Sequence, residues 1–458
     1  MKKYRFLSLV LAAVIALALT APARALEDPQ PKARAVIIVD GDNHEVLYDF
    51  HAHERMYPAS ITKIMTSLVV LDAVASGEIS LSTVTTASVQ AVDLPWDSST
   101  AEIKAGEQLS ILDLLYCDLL PSGNDACNIL SEAVAGTSAE FVARMNAKAQ
   151  ELGMNDTHFA NPHGLHDPEH YTTAYDIYLM AYAAMQNDTF RSIVRSASYD
   201  LPATNLQAAR TIYSSNGLLT GYYAGSGYTY AKAIGIKTGY TGEAGRCLAS
   251  AAVDELGRTF YCVVLGTEDT QEENGTWYKW SFHETKRLLE WAFDNFHRVT
   301  LLEQDMEDAW REVAVSLSDE ADYVLAKPTG TIEATMPSDF DPKQVKLDFT
   351  LPTEPIEAPV TAGQKLGTVT LTYNGAVYGT LDMVAADDVE RSEFLYTIQQ
   401  IQYYWDQWWV KAAVIGGAAL VLLFVGYMAV IRPKRRRAKR YSYSGGGRRG
   451  GSNYRGRR

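Results

Sequence analysis

Ser60 and Lys63 stand three residues apart in the stretch YPASITKIM, residues 57–65. A hydroxyl and an amine at that spacing can act as a nucleophile and its base. The continuation ITKIMTSLVVLDAV carries apolar residues at helical spacing, and Pro58 fits just before or within a first turn. Positions i and i+3 share a helix face, so the amine is expected beside the hydroxyl. Alone, S-x-x-K reads as a helix start with a solvated lysine, because it recurs by chance. A second group, Ser122-Gly123-Asn124, follows an apolar run in LLPSGNDACNIL. With Gly123 relaxing the backbone, a hydroxyl and an amide can project from a tight turn, pass a proton and hold a substrate carbonyl. Its plain alternative is an N-cap from Ser122, Asn124 or Asp125, and both uses are compatible. A third group, Lys237-Thr238-Gly239, opens KTGYTGEAG after a short apolar run. A lysine and a hydroxyl on an exposed strand edge can receive a carboxylate, and Gly239 admits a closely approaching substrate backbone, along which an extended peptide can pair. Its alternative is a surface hairpin with a solvated lysine.

The elements that must position these groups lie between two apolar segments. Residues 1–25 have a basic head, an apolar run from Phe6 to Leu19 and an Ala23-x-Ala25 ending, the layout of a cleaved secretory signal. Residues 412–431 are twenty uncharged residues, long enough for one membrane helix. Tyr403, Tyr404, Trp405, Trp408 and Trp409 precede it and RPKRRRAKR follows. Interfacial aromatics and a basic cytoplasmic flank give the expectation of a cell-membrane protein with a single span, its bulk outside and its tail, 432–458, inside. Sixteen of the 41 Lys/Arg residues lie in the leader and tail, which leaves 25 against 55 acids in the exported part. Such a surface repels nucleic acid. The Gly/Arg tail reads as disordered and attracted to anionic inner-leaflet lipid. Cys117, Cys127, Cys247 and Cys262 have apolar neighbours and no scaffold spacing, and read as buried free thiols.

Residues 26–297 mix strand-like and helical segments: ARAVIIVDGDNHEVLYDF as two strands around a turn, LSILDLLYCDLL, SAEFVARMNAKAQELG and SFHETKRLLEWAFDNF as helices, RTFYCVVLG as a strand. From 298 to 387 short alternating strands (REVAVSL, ADYVLA, GTIEATM, VKLDFTL, KLGTVTLTYNG, AVYGTLDMVA) are separated by turn residues, which predicts a small β-rich domain. Residues 388–411 read as an amphipathic, aromatic connector onto the span.

The ordered set S-x-x-K, S-x-N, K-T-G in a secreted chain resembles the penicillin-interacting serine enzymes, and in particular the D-alanyl-D-alanine carboxypeptidases, the low-molecular-weight penicillin-binding proteins. The resemblance covers roughly residues 33–387 and extends to GEQLSILDLL, SGNDACNIL, NPHGL, YTTAYDIYLMA and GIKTGYTGEAG. It implies an α/β (α+β) fold: a β-lactamase/transpeptidase-like antiparallel sheet with helices on both faces and a helical lobe, then the small all-β domain and the C-terminal transmembrane helix. It implies Ser60 as the acylated nucleophile and Lys63 as its base, a role that burial and the like charge of Lys237 would favour. Ser122 would relay a proton to the leaving amine, Asn124 would hold the substrate amide and help fix Lys63, and Lys237 and Thr238 would meet the terminal carboxylate. The backbone N–H groups of Ser60 and Tyr240 would form the oxyanion hole. The implied reaction removes the terminal D-alanine from peptidoglycan stem peptides. β-Lactams would act as covalent inhibitors, and neither metal nor organic cofactor is called for. A β-lactamase and a silent penicillin-binding sensor or scaffold are the competing readings. One departure stands out. Many relatives carry an arginine soon after the strand equivalent to FYCVVLG, where this chain has the acidic TEDTQEENGTW; either Lys237 and Thr238 take over its task or another cation serves. His158, His163, His166 and His170 fall within thirteen residues, but their spacings match no common zinc site.

Overall fold

The structure, a computed structural model, describes residues 26–441 except 272, 274 and 276, with side chains as far as 429. The expected leader, 1–25, and the end of the expected tail, 442–458, lie outside the described residues. The described chain forms two compact units: residues up to Thr300 together with Glu333–Pro342, and Leu301–Ile332 together with the chain from Lys343 onward.

The first unit is built on strands β1 (Ala35–Asp40), β2 (Val46–Phe50), β3 (Ala233–Thr241), β4 (Gly245–Val253) and β5 (Thr259–Thr267). They form one antiparallel sheet in the order β2-β1-β5-β4-β3. All six residues of β1 are buried, so the strand reads as a continuous apolar run because both sheet faces are covered. Successive side chains go to opposite faces. Ile37, Val39 and Val263 join the core of the helical lobe. Val36, Ile38 and Val264 pack instead with Leu288, Leu289, Ala292 and Phe293 of the helix Trp280–Asn295, whose spacing makes one apolar face. Each fully buried leucine there contributes about 1.5–3 kcal/mol.

Helix α1 (Lys63–Ala75) runs through the middle of the lobe, and every residue from Lys63 to Leu71 is buried. A helix buried on every face over such a stretch belongs in a core. It packs against α2 (Ile111–Leu119), α3 (Asn124–Ala135), α4 (Ser138–Glu151) and α5 (Ala174–Met185). The Ser110 hydroxyl caps α2 by accepting from Asp113 N–H at 3.1 Å. The strand carrying Lys237 is the sheet edge, as its motif predicted.

The second unit contains a six-stranded sheet made of Arg311–Ser316, Tyr323–Pro328, Lys346–Thr350, Ile356–Glu357, Lys365–Tyr373 and Ala376–Ala385. Among the segments read as strands of the β-rich region, Ile332–Pro337 pairs elsewhere, with Phe296–Leu302. Most of it belongs to the first unit, where the Thr335 hydroxyl donates to the Asp40 carboxylate and Ser338 N–H donates to Asn295 C=O at 2.7 Å. Alternation identifies a strand but carries no information about its partner. Helix Glu393–Asp406 follows the sheet, and then a longer helix whose stretch Trp408–Ala429 is long and apolar enough to cross a membrane.

Candidate active site

Ser60 lies in a 3-10 turn, Ala59–Thr62, that leads directly into α1. Pro58 precedes the turn, and Ala59 has φ +48°. Lys63, the first residue of α1, is wholly enclosed. Its Nζ lies 3.1 Å from Ser60 Oγ, 2.6 Å from Asn124 Oδ1 and 2.7 Å from His163 C=O. An ammonium has three hydrogens, and three acceptors surround this one. Thr62 braces the turn from beneath. Its hydroxyl donates to Ala59 C=O at 2.8 Å and lies 2.8 Å from His170 Nε2, while His170 Nδ1 accepts from Ala160 N–H. That arrangement requires His170 neutral with its proton on Nε2. Its proton affinity is accordingly pushed down to about 4, by burial first.

The Ser122-Gly123-Asn124 turn departs from expectation in its backbone. The left-handed residue is Ser122, with φ +67°, whereas Gly123 is extended at φ −66°. Gly123 is needed for room instead, because a Cβ there would sit 2.6 Å from Asp125 Oδ1 and 2.8 Å from Cys117 C=O. Non-glycine residues held at positive φ store strain and cluster at functional sites. The N-cap position of α3 falls on Gly123, without a side-chain cap. Asp125 instead accepts from the N–H groups of Ala101, Ile103 and Ala126. Ser122 and Asn124 are thereby spared for the cleft. Asn124 turns its oxygen to Lys63, and Ser122 Oγ is buried without a hydrogen-bond partner among the described residues.

On β3, Lys237 is as enclosed as Lys63, at 1% exposure. Its Nζ donates to Thr238 C=O at 3.1 Å. Burial, then the charge of Lys63, lowers its proton affinity, while Asp118 acts the other way. Thr238 Oγ1 lies 2.7 Å from Ser215 Oγ, a hydroxyl pair that no motif announced. The room left by Gly239 goes to the Ser60 turn. A Cβ there would meet Pro58 C=O at 2.9 Å and Ala59 Cβ at 3.2 Å. The strand thus reaches the nucleophile turn because position 239 has no side chain. Tyr240, half-exposed, stacks under the Arg246 guanidinium at 3.8 Å.

Ser60, Ser122, Asn124, Thr238, Gly239 and Tyr240 line one cavity of about 320 Å³. Lys63 and Lys237 contact residues of that lining, Lys63 at Ser60 and Asn124 and Lys237 at Thr238. Arg246 and Lys279 also line it, each 2.9 Å from Asp269 Oδ2. Asp269, in the acidic stretch after β5, therefore anchors two cations, Arg246 from β4 and Lys279 just beyond the stretch. Sequence reasoning missed both: strand pairing sets Arg246 opposite Tyr240, and Lys279 comes in through its ion pair with Asp269. The four clustered histidines go to separate partners. His158 Nδ1 lies 2.6 Å from Glu169 C=O, His163 Nδ1 accepts from Leu165 N–H, His166 lies edge-on to Tyr57, and His170 serves Thr62. All four cysteines are buried free thiols.

The chain is similar to known proteins. A family model described as D-alanyl-D-alanine carboxypeptidase, peptidase S11, matches residues 22–269, and one for the C-terminal domain of penicillin-binding protein 5 matches 311–391. The chain is 28% identical over 374 residues to the D-alanyl-D-alanine carboxypeptidase DacF of Bacillus subtilis, covering 82% of this chain and 90% of that one. It is 30% identical over 385 residues to DacC of Escherichia coli, covering 81% and 87%. Among solved structures, penicillin-binding protein 5 of Haemophilus influenzae superimposes with a TM-score of 0.60 at 28% identity, over 80% of this chain and all of the other.

Proposed function

Because the chain belongs to the D-alanyl-D-alanine carboxypeptidase family, the S11 serine peptidases, we propose that its cleft removes the terminal D-alanine from peptidoglycan stem peptides through an acyl-enzyme on Ser60. The observation that carries this reading is the environment of the Lys63 amine. Once Lys63 gives up a proton, its two remaining N–H groups satisfy Asn124 Oδ1 and His163 C=O. The lone pair then faces Ser60 Oγ. Two fixed acceptors thus aim the base at the nucleophile, which is the geometry that activates a serine otherwise weakly nucleophilic at neutral pH.

Ser60 Oγ attacks the carbonyl of the penultimate D-alanine while its proton passes to Lys63. The developing oxyanion meets the backbone N–H groups of Ser60 and Tyr240. Losing such a donor costs about two to three orders of magnitude in rate. The Ser122 hydroxyl, without a hydrogen-bond partner among the described residues and held at the cavity wall, carries the proton to the departing amine. Asn124 presents its NH₂ to the substrate amide. The terminal carboxylate is received by Thr238 with Ser215, in the field of Lys237, with Arg246 and Lys279 as the further cations of this cavity. Water then hydrolyses the ester. β-Lactams enter the same route and stop at the acyl stage. The apolar helix at Trp408–Ala429 holds the enzyme in the cell membrane, with the cleft outside and the basic tail inside.

Mass spectrometry of the purified chain tests this, with a penicillin and separately with a D-Ala-D-Ala peptide. A lasting adduct on Ser60 and release of D-alanine are expected, both lost in Ser60→Ala. Rapid drug turnover without an adduct would make it a β-lactamase. An adduct without D-alanine release would leave a sensor.

A further inference from the structure

Among the described residues of the first unit, the exposed Phe, Tyr and Trp side chains are Trp96, Tyr222, Tyr223, Tyr240 and Trp277. All five gather in one region. Tyr223 and Tyr240 line the Ser60 cavity, and Trp277 lines a second cavity that shares Tyr240 and Arg246 with it. Trp96 directly precedes Asp97, Ser98 and Ser99, which belong to the lining of the Ser60 cavity. Single exposed rings scattered over a surface need no explanation, whereas a cluster around one cleft marks a binding surface. Three of the rings sit on two separate turns. Trp96, 96% exposed, lies in a turn closed by Ser98 N–H donating to Pro95 C=O at 2.9 Å. The residues after it are fixed to the site, because Ser99 C=O accepts from Asn124 N–H at 2.8 Å. Tyr222 and Tyr223 occupy the tip of the other turn, where Gly225 N–H donates to Gly221 C=O at 2.9 Å. Tyr222 stacks on Tyr213 with centroids 3.7 Å apart and planes 5° apart, and Tyr223 meets Tyr222 edge-on at 4.8 Å. The hairpin of strands Ser198–Leu201 and Arg210–Tyr213 is tied to the Trp96 side. Gln207 Nε2 donates to Glu102 C=O at 2.9 Å, and Arg210 donates to Ala101 C=O at 3.3 Å.

We propose that Trp96, Tyr222 and Tyr223 form a stacking platform for a sugar ring of the glycan strand that carries the stem peptide. Chemistry selects this occupant. A pyranose has an apolar face of C–H groups that can lie on an aromatic ring, and a hydroxyl rim that stays wet. The surroundings call for such a ligand, because Asp93, Asp97 and Glu102 are exposed in the same stretch as Trp96. A lipid tail packed here would strip water from those carboxylates, which is costly without partners. A nucleic-acid base would stack as well, but it brings phosphates that an acidic surface repels. The D-alanines at the scissile bond offer only methyl groups, too small to cover a ring. Reach is also satisfied. The bond cut follows the fourth residue of a pentapeptide, so the sugar lies at most about 14 Å away along an extended chain. Tyr223 lines the same cavity as Ser60, inside that reach. Tyr240 is set apart from the platform, its face covered by the Arg246 guanidinium.

The platform takes its ligand from the stem-peptide reading of the cleft, and the test keeps the two apart. Calorimetry with the detergent-purified Ser60→Ala chain measures binding of a free stem pentapeptide and of the same pentapeptide on its disaccharide. The disaccharide form is expected to bind about tenfold tighter, the worth of a stacked contact of about 1.4 kcal/mol. Trp96→Ser and Tyr222→Ser, each added to that chain, are expected to cut the advantage by about threefold or more and to leave binding of the free peptide unchanged. With Ser60 intact, both variants are expected to be acylated by penicillin as fast as the native chain. No advantage in the parent chain, or an advantage kept in both variants, overturns the proposal. Equal weakening on both peptides also overturns it, since the rings would then shape the peptide cavity. Should thermal melting show Tyr222→Ser unfolded, the result for Trp96→Ser decides alone. A native chain that releases no D-alanine while the disaccharide advantage holds brings down the carboxypeptidase reading only. Release of D-alanine without that advantage brings down the platform only.

Discussion

Three acceptors around one enclosed amine make Lys63 the most constrained residue of the site. Lys63→Ala removes the proposed base and the amine that donates to Asn124 Oδ1. Acylation by penicillin is expected to fall by about 10²–10⁴-fold, the usual worth of a positioned base, as measured by stopped-flow. Asn124→Ala is expected to lose less, because His163 C=O and Ser60 still hold the amine. His170 makes a different prediction. Its folded-state proton affinity is lowered, by burial foremost, from 6.5 to about 4. Between those values the unfolded chain binds more protons than the folded one, so stability is full above about pH 6.5 and falls as pH drops towards 4. The loss is bounded at roughly 3 kcal/mol. Denaturant melts should show that slope in the native chain and a flatter one in His170→Gln, where no imidazole remains to protonate.

At the scale of elements, the site depends on three segments meeting at the Ser60 turn: α1, the edge strand β3 and the loop Asn161–Leu165. Each contact is set by the absence of a side chain. A Cβ on Gly239 would lie 2.9 Å from Pro58 C=O, and one on Gly164 would lie 1.9 Å from Ala59 C=O. Gly239→Ala must push β3 away from the turn by a few tenths of an ångström. A stability loss of about 1–3 kcal/mol is expected, together with a fall in acylation larger than that loss explains, since Ser60 and Tyr240 N–H groups move apart. Gly164→Ala adds a φ of +85° to its clash and should be the more damaging of the two. Thermal melts alongside penicillin acylation rank them. Equal acylation in native and Gly239→Ala chains would show that the close approach does not matter.

For the whole molecule, the apolar helix Trp408–Ala429 and the all-β unit do not supply any group to the catalytic constellation described. A chain ending at Gln407 is expected to leave the membrane fraction while keeping its rate on a soluble D-Ala-D-Ala peptide. Shortening the β-rich region with the helix retained is expected to reduce wall trimming in cells and spare the soluble reaction. Normal trimming by that form would show that the β-rich region is dispensable for action on the wall.

The sequence by itself determined the family and with it the reaction class. The types and order of Ser60, Lys63, Ser122, Asn124, Lys237 and Thr238, and the helical or alternating spacing around them, specify which side chains can act and on which kind of element each sits. Those are local properties, written in residue identity and in periods of 3.6 and 2. Only the tertiary structure decided what meets what. Asp118 meets Ser67 and Cys127 only in the folded chain. Arg246 and Lys279 reached the cavity through strand pairing and a shared partner, Asp269. The strand Ile332–Pro337 read correctly as a strand yet joined the first unit. Gly123 was read as the flexible point of its turn, whereas the positive φ falls on Ser122. Long-range pairing, burial of charge and the distribution of backbone strain are set by contacts between segments far apart in the chain, and no local pattern records them.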